Sequence, residues 1–366
     1  MNKIGILLAG LLLCAGCHKS DNSSDNMLLM FTGSYSPADF AGVKCFHFDQ
    51  ESAEYALISE ASGVSNPSFI TVDAPRSRVY AVGEDDGPSA TMNILSYEND
   101  GSNLKLDASV LNGGGAPCHI SSAPDGSKVF TANYLGGSIS GCEIDDNGMF
   151  IGQPRIIKFE GSGPDSIRQR QPHLHQLSFI PNSGTMLAND LGTDKIYVIP
   201  APYDTVVAQV SVAPGSGPRH TVFNNDGSRA YMLTEMSGEV MVFDIDNDRL
   251  ILKQTILADS LHARGSADIH LSPDNQFLYA STRLQGDGLA IFKVSDADGT
   301  LTRIGFQPTG KHPRNFAITP NGRYVLVACR DANAIEIYNR DPNTGYLTLH
   351  STITTPRPTC IQFHPK

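Results

Sequence analysis

In the stretch QPHLHQLSFIPNSGTMLANDLG, residues 171–192, two histidines stand one residue apart and an aspartate follows fifteen residues after the second. His173, His175 and Asp190 are residue types of a metal site, and equally of a site where an imidazole takes a proton from water. HxH on a strand points both rings to one face, with or without a metal. Arg219 and His220 precede Glu235 by a similar interval, as His119 precedes Tyr134 and Asp268 precedes Arg283. Arginines beside carboxylates and histidines suit an anionic small molecule, because a guanidinium grips phosphate or carboxylate through two parallel N–H bonds. The same arginines argue against a cation, so no metal and no cofactor is expected. No GxSxG elbow, HExxH, P-loop or dinucleotide fingerprint is present.

These residues recur at fixed points of a repeated element. HISSAPDGSKVFTANY (119–134) has short alternating apolar runs around a Pro-Asp-Gly turn, the pattern of a β-hairpin. Its relatives lie at 68–84, 174–190, 219–235, 267–283 and 314–330, and the hairpins end at Glu84, Tyr134, Asp190, Glu235, Arg283 and Arg330. Successive ends are 50, 56, 45, 48 and 47 residues apart, a period that holds the four short strands of a β-propeller blade. The chain closes on RPTCIQFHPK, half a hairpin, and MLLMFTGSY (27–35) lacks a first partner. Joined, they make a seventh blade and leave no unpaired sheet edge. The expectation is an all-β fold: one seven-bladed propeller of four-stranded antiparallel blades over residues 27–366, without helices.

In such a ring the start of each first strand and the end of each second strand share one rim. Ser68 with Glu84, His119 with Tyr134, and His173 and His175 with Asp190 then meet there. Arg219 and His220 with Glu235, Asp268 with Arg283, and Arg314 with Arg330 complete the rim. Charged groups at equivalent sites of successive blades face one another across a funnel where water is limited and their fields add. Plainer roles exist: strand capping for His119, an ion pair for Arg219–Glu235, charge balance for Arg314 and Arg330. Arg283 ends an apolar strand (FLYASTR), which favours function.

Of the 366 residues 40% are hydrophobic, enough for a sizeable core, and the formal charge of −11 with no Lys/Arg stripe argues against nucleic acid. MNKIGILLAGLLLCAGC has the form of a secretory signal ending in a lipoprotein box, with residues 1–16 removed and Cys17 lipidated. Residues 17–26 read as a polar tether, and the protein as exported and lipid-anchored in a bacterial cell envelope. No later segment has the ~20 apolar residues of a membrane span, and a monomer is expected. The five cysteines after Cys17 show no CxxC spacing and read as buried free thiols.

Taken in order, FTGSY, ANYLGGSIS, RQRQPHLHQ, NDLGTDKIYV, GSGPRHTVF, LYASTR and HPRNFAITPNG resemble the seven-bladed-propeller lactonase family. That family includes the propeller 6-phosphogluconolactonases and carboxymuconate lactonising enzymes, and the resemblance covers the chain from about residue 28. It implies a metal-independent lactone hydrolase acting on an anionic sugar lactone. By the same resemblance a histidine of PHLH (His173 or His175), Arg219, Glu235 and Arg283 are the catalytic set. The other rim residues, Glu84, His119, Asp190, His220, Arg314 and Arg330, are then substrate-binding, with Asp190 as support. His175 or Glu235 would be the general base and the other the acid. The alternatives are a muconate-type lactonising enzyme and a non-catalytic propeller lipoprotein that binds a glycan or a protein partner.

Overall fold

The computed structural model describes residues 26–364; the leader at 1–16, Cys17 and nearly all of the tether lie outside them. Seven four-stranded antiparallel sheets form a ring. Blades 1 to 6 span residues 70–111, 117–158, 174–211, 218–257, 269–308 and 313–354. Blade 7 takes three strands from the N-terminal end, within 27–61, and its innermost strand, Pro358–Phe363, from the C-terminal end. Met30 pairs with Phe363 and Thr32 with Ile361 in antiparallel register, so the ring closes through its termini as expected.

The innermost strands neighbour one another around the axis, and each sheet runs outward from there in chain order. Seven apolar clusters fill the gaps between adjacent blades. One joins Tyr231, Leu233, Val240 and Val242 of blade 4 to Ile269, Leu278, Ala290 and Phe292 of blade 5. Another joins Met30, Phe46 and Phe48 of blade 7 to Leu326, Ile335 and Ile337 of blade 6. At roughly 1.5–3 kcal/mol for each large apolar side chain fully removed from water, these interfaces carry most of the stabilisation.

This packing explains why the second strands do not alternate. Phe277–Thr282 and Tyr324–Cys329 are buried at every residue because a neighbouring blade covers each face. The outermost strand Lys105–Leu111 alternates between exposed and half-buried positions, since only one face is covered.

The hairpin turns match the sequence signals. Gly126 and Gly227 take positive φ of 67° and 70°, which a residue without Cβ reaches freely. Asp125 and Asp226 accept from the N–H groups of Ser127 and Ser228 at 3.0 and 2.8 Å, closing the turns. Two three-residue 3-10 turns, Ala74–Arg76 and Arg330–Ala332, are the helical exceptions beyond residue 26. Cys45, Cys118, Cys142, Cys329 and Cys360 are all free and buried. No helix among the described residues is long and apolar enough to cross a membrane.

Candidate active site

Where an innermost strand meets its partner at the mouth, the ladder carries a bulge. The pairing skips Cys118 in blade 2, His175 in blade 3, Arg219 in blade 4 and Arg314 in blade 6. A bulge leaves one residue outside the ladder and re-aims its side chain. His175, Arg219 and Arg314 are thus equivalent residues, whereas His119 and His220 stand one position further along their strands. The equal fifteen-residue spacings had aligned His175 with His119 and His220. The register corrects this, because Asp190 is still inside its strand while Tyr134 and Glu235 lie just beyond theirs.

The upper layer gathers around Glu235, which is 6% exposed. Arg219, 1% exposed, donates Nε–H to Glu235 Oε2 at 2.9 Å. Arg168 donates to Oε1 at 2.5 Å, and Arg283 reaches Oε2 at 3.5 Å. Burial alone would raise the Glu235 carboxyl, but Arg283, Arg219 and Arg168 outweigh it and hold it down at about 2. Burial, reinforced by Arg219, brings Arg283 down to about 9, which leaves it charged at neutral pH. Arg219 is also lowered by burial. One carboxylate therefore neutralises only part of three guanidiniums.

His175 Nε2 lies 3.9 Å from Glu235 Oε2, and its Nδ1 has no partner among the described residues. Burial, then Arg219 and His220, hold His175 well below the ordinary imidazole range, so it is neutral. His173 shares a hydrogen bond of 2.7 Å with the carbonyl of Tyr134 through Nδ1 and stacks on the Tyr134 ring at 4.3 Å. Since the carbonyl only accepts, Nδ1 carries the proton and Nε2 keeps the lone pair. Burial lowers this imidazole too.

Two residues of this layer, Arg168 and His312, lie outside the strand-end alignment. Arg168 and the stacked Tyr134 form a wall of the mouth, with Arg168 Nη2 3.3 Å from the phenol. His312 accepts at Nε2 from Arg283 Nη1 at 3.1 Å, while its Nδ1 faces Asp331 at 3.4 Å. Arg168 sits on residues 159–173, the longest connection between blades, and that length was the signal available for it. Gln169 beside it is fully buried, donating to the Leu191 carbonyl at 2.9 Å and to Asp194 at 2.8 Å. Asp165 accepts the N–H of Arg168 at 2.8 Å, so the loop is fixed rather than free. An open recess of 590 Å³ lies beside it, lined by Tyr134, Leu135, Ile167, Arg168, Arg170, Gln171 and His173.

On the other side of the mouth Glu84 accepts from the Tyr35 phenol at 2.8 Å and lies 3.9 Å from Arg314. Burial opposes the charge of Arg314, but Tyr35 and Glu84 raise its guanidinium. Arg330 pairs with Asp331 at 2.7 Å and touches His312 Nδ1 at 3.2 Å.

The deeper layer is different. Asp268 accepts from His220 at 2.7 Å, His270 at 2.9 Å, Asn315 at 2.6 Å and the Phe316 N–H at 3.2 Å. It is turned to these groups and not to Arg283, tying blades 4, 5 and 6 together. His220 is brought down to about 4 by burial and then Arg219. His119 packs on Phe69 at 4.2 Å and is held low by burial. Asp190 is fully buried and accepts from His173 N at 2.7 Å, Gly192 N at 2.9 Å and Thr193 Oγ1 at 2.6 Å. Its carboxylate is spent on the loop that carries His173.

A family model described as Lactonase, 7-bladed beta-propeller, matches residues 29–363. The 6-phosphogluconolactonase of Formosa agariphila is 34% identical over 334 residues, covering 87% of this chain and 94% of that one. A Bacteroides fragilis protein described as a putative 6-phosphogluconolactonase superposes with a TM-score of 0.89 at 41% identity, covering 94% of this chain and 99% of its own. The periplasmic gluconolactonase of Pseudomonas aeruginosa superposes with a TM-score of 0.85 at 26% identity, over 92% and 99% of the two chains.

Proposed function

The chain belongs to the seven-bladed β-propeller lactonase family, and from that premise we propose that its mouth hydrolyses an anionic sugar lactone of the 6-phosphogluconolactone kind, without a metal. The observation that carries this reading is the sharing of one buried carboxylate, Glu235, by Arg168, Arg219 and Arg283. Such a cluster offers unspent positive charge to an oxyanion. Arg219 and Arg283 polarise the lactone carbonyl and stabilise the tetrahedral oxyanion, in a site where charges act at low dielectric.

Glu235 is too acidic and too fully bonded to move protons, so its part is to hold the arginines. His175, neutral and adjacent, takes the proton from the attacking water at Nε2. The resulting imidazolium is offset by Glu235 3.9 Å away. The intermediate then collapses, the ring oxygen leaves, and it receives that proton to give the open sugar acid. His173, with its lone pair at Nε2, faces the substrate hydroxyls. Bound to the envelope through Cys17, the enzyme would act outside the cytoplasm; its likeness to a periplasmic gluconolactonase supports that place.

A panel of 6-phosphogluconolactone, gluconolactone and muconolactone, followed by pH-stat with and without chelator, tests this. Hydrolysis of a sugar lactone unaffected by chelator is expected. Inertness toward every lactone, or loss of activity with chelator, overturns it. Palmitate labelling that disappears in Cys17→Ser tests the anchor.

A further inference from the structure

Tyr35 holds in blade 7 the position that Glu84, Tyr134, Glu235, Arg283 and Arg330 hold in theirs, one residue beyond the end of the second strand. Three guanidiniums surround its ring: Arg314 at 5.2 Å, Arg357 at 5.6 Å and Arg330 at 6.0 Å from the centroid. They come from the bulge of blade 6, the end of its second strand, and the turn entering the closing strand.

Two of the three have carboxylates nearby. Glu84 lies 3.9 Å from Arg314, and Asp331 lies 2.7 Å from Arg330. No carboxylate pairs with Arg357 among the described residues, and its side chain is exposed. Yet its place is fixed by backbone bonds on either side. Its N–H donates to Asn333 Oδ1 at 3.0 Å, and its carbonyl accepts the N–H of Tyr35 at 3.2 Å. The Tyr35 ring cannot swing away, because its phenol is bonded to both oxygens of Glu84 at 2.8 Å.

Like charges gathered on one ring repel one another, and two carboxylates offset three guanidiniums only in part. In a chain of formal charge −11, a cationic patch of this kind concentrates anions that the rest of the surface repels. The patch is continuous with the cluster around Glu235. One imidazole, His312, stands between Arg283 at 3.1 Å and Arg330 at 3.2 Å. The two arginine groups are therefore separated by the width of one imidazole ring, which accepts from Arg283 at Nε2 and has Arg330 in contact at Nδ1.

Resting on the lactonase reading above, we propose that Tyr35, Arg314, Arg330 and Arg357 form a second anion subsite, which holds a phosphate monoester or carboxylate at the end of the substrate remote from the lactone ring. The substrate is then an aldonolactone with a terminal oxyanion, and neutral gluconolactone fills only the half of the mouth around Glu235.

The test compares the full-length protein with Arg357→Ala and Arg357→Lys on 6-phosphogluconolactone, glucarolactone and gluconolactone. For Arg357→Ala the ratio of kcat/KM for the better anionic lactone over gluconolactone should fall tenfold or more, with Arg357→Lys in between. Inorganic phosphate, titrated calorimetrically, should bind Arg357→Ala at least tenfold more weakly than wild type. The anionic lactone with the higher wild-type kcat/KM identifies the terminal group as phosphate or carboxylate. A ratio that stays within threefold of wild type, with phosphate affinity unchanged, overturns the subsite. If the wild type hydrolyses none of the three lactones, the lactonase reading fails, and the phosphate titration alone decides whether the subsite exists.

Discussion

Arg219 Nε stands 2.9 Å from Glu235 Oε2, both side chains buried, on adjacent strands of blade 4. The bulge turns Arg219 toward the mouth just where Glu235 leaves the neighbouring strand. A pair so placed could be no more than an internal ion pair. Arg168 and Arg283 share the same carboxylate, and that makes it the centre of a cationic cluster.

Removing Glu235 should therefore harm stability as well as catalysis. Glu235→Ala leaves two buried arginines, Arg219 and Arg283, without their counter-charge, at a cost of about 3–5 kcal/mol. A urea melt of the variant should show it, together with a loss of turnover. A midpoint equal to that of wild type would contradict the buried-cluster account.

The same carboxylate fixes an acid limb of stability. Its folded value of about 2 is below its unfolded value of 4.5. The stabilisation is present above the unfolded value and is lost as pH falls from there through about 2, on the order of 3 kcal/mol in all. Urea midpoints from pH 6 to pH 3 should decline for wild type and decline less for Glu235→Gln.

Activity should follow another titration. As the proposed base His175 would work as the neutral imidazole, and burial with Arg219 keeps it neutral well below the ordinary value of 6.5. Lowering pH protonates it only far down, so kcat/KM should stay level as pH falls through 6.5. A protonation limb centred near 6.5 would remove His175 from the role of base.

The two histidines of PHLH should separate kinetically. His175→Asn should lower kcat by roughly 100- to 10,000-fold, the usual worth of a positioned base. His173→Asn should act mainly on KM, with kcat reduced less than about tenfold. Equal losses in kcat would mean that the pair acts as one unit.

Arg168 offers a test that spares the core. Its side chain is 35% exposed and lies on a loop held by Gln169 and Asp165. Arg168→Ala should leave the melting temperature within a few degrees of wild type and reduce kcat/KM about tenfold or more, through a less ordered Glu235. Unchanged kinetics would confine Arg168 to a surface role.

Much of this molecule is legible in one dimension. Turn glycines such as Gly126, the runs ending at Tyr134 or Arg283, and the half-hairpins at either end specify seven blades and their closure. Each hairpin is made by neighbours in sequence, so its signal is local. The same local pattern brought His175, Arg219, Glu235 and Arg283 to one rim. It could not show that His175 shares its place with Arg219 rather than with His119, because the bulge that decides this leaves residue spacing almost unchanged. Nor could it find Arg168 against Glu235, or His312 against Arg283, which meet across blades.

The amino-acid order by itself determined the ring, the rim and the kinds of group that stand there, because strand pairing and turn chemistry are short-range. Tertiary structure alone decided which groups are charged and what each one faces. Protonation depends on burial and on charges brought from residues tens of positions away, as when Arg283, Arg219 and Arg168 hold Glu235 ionised and burial keeps His175 neutral.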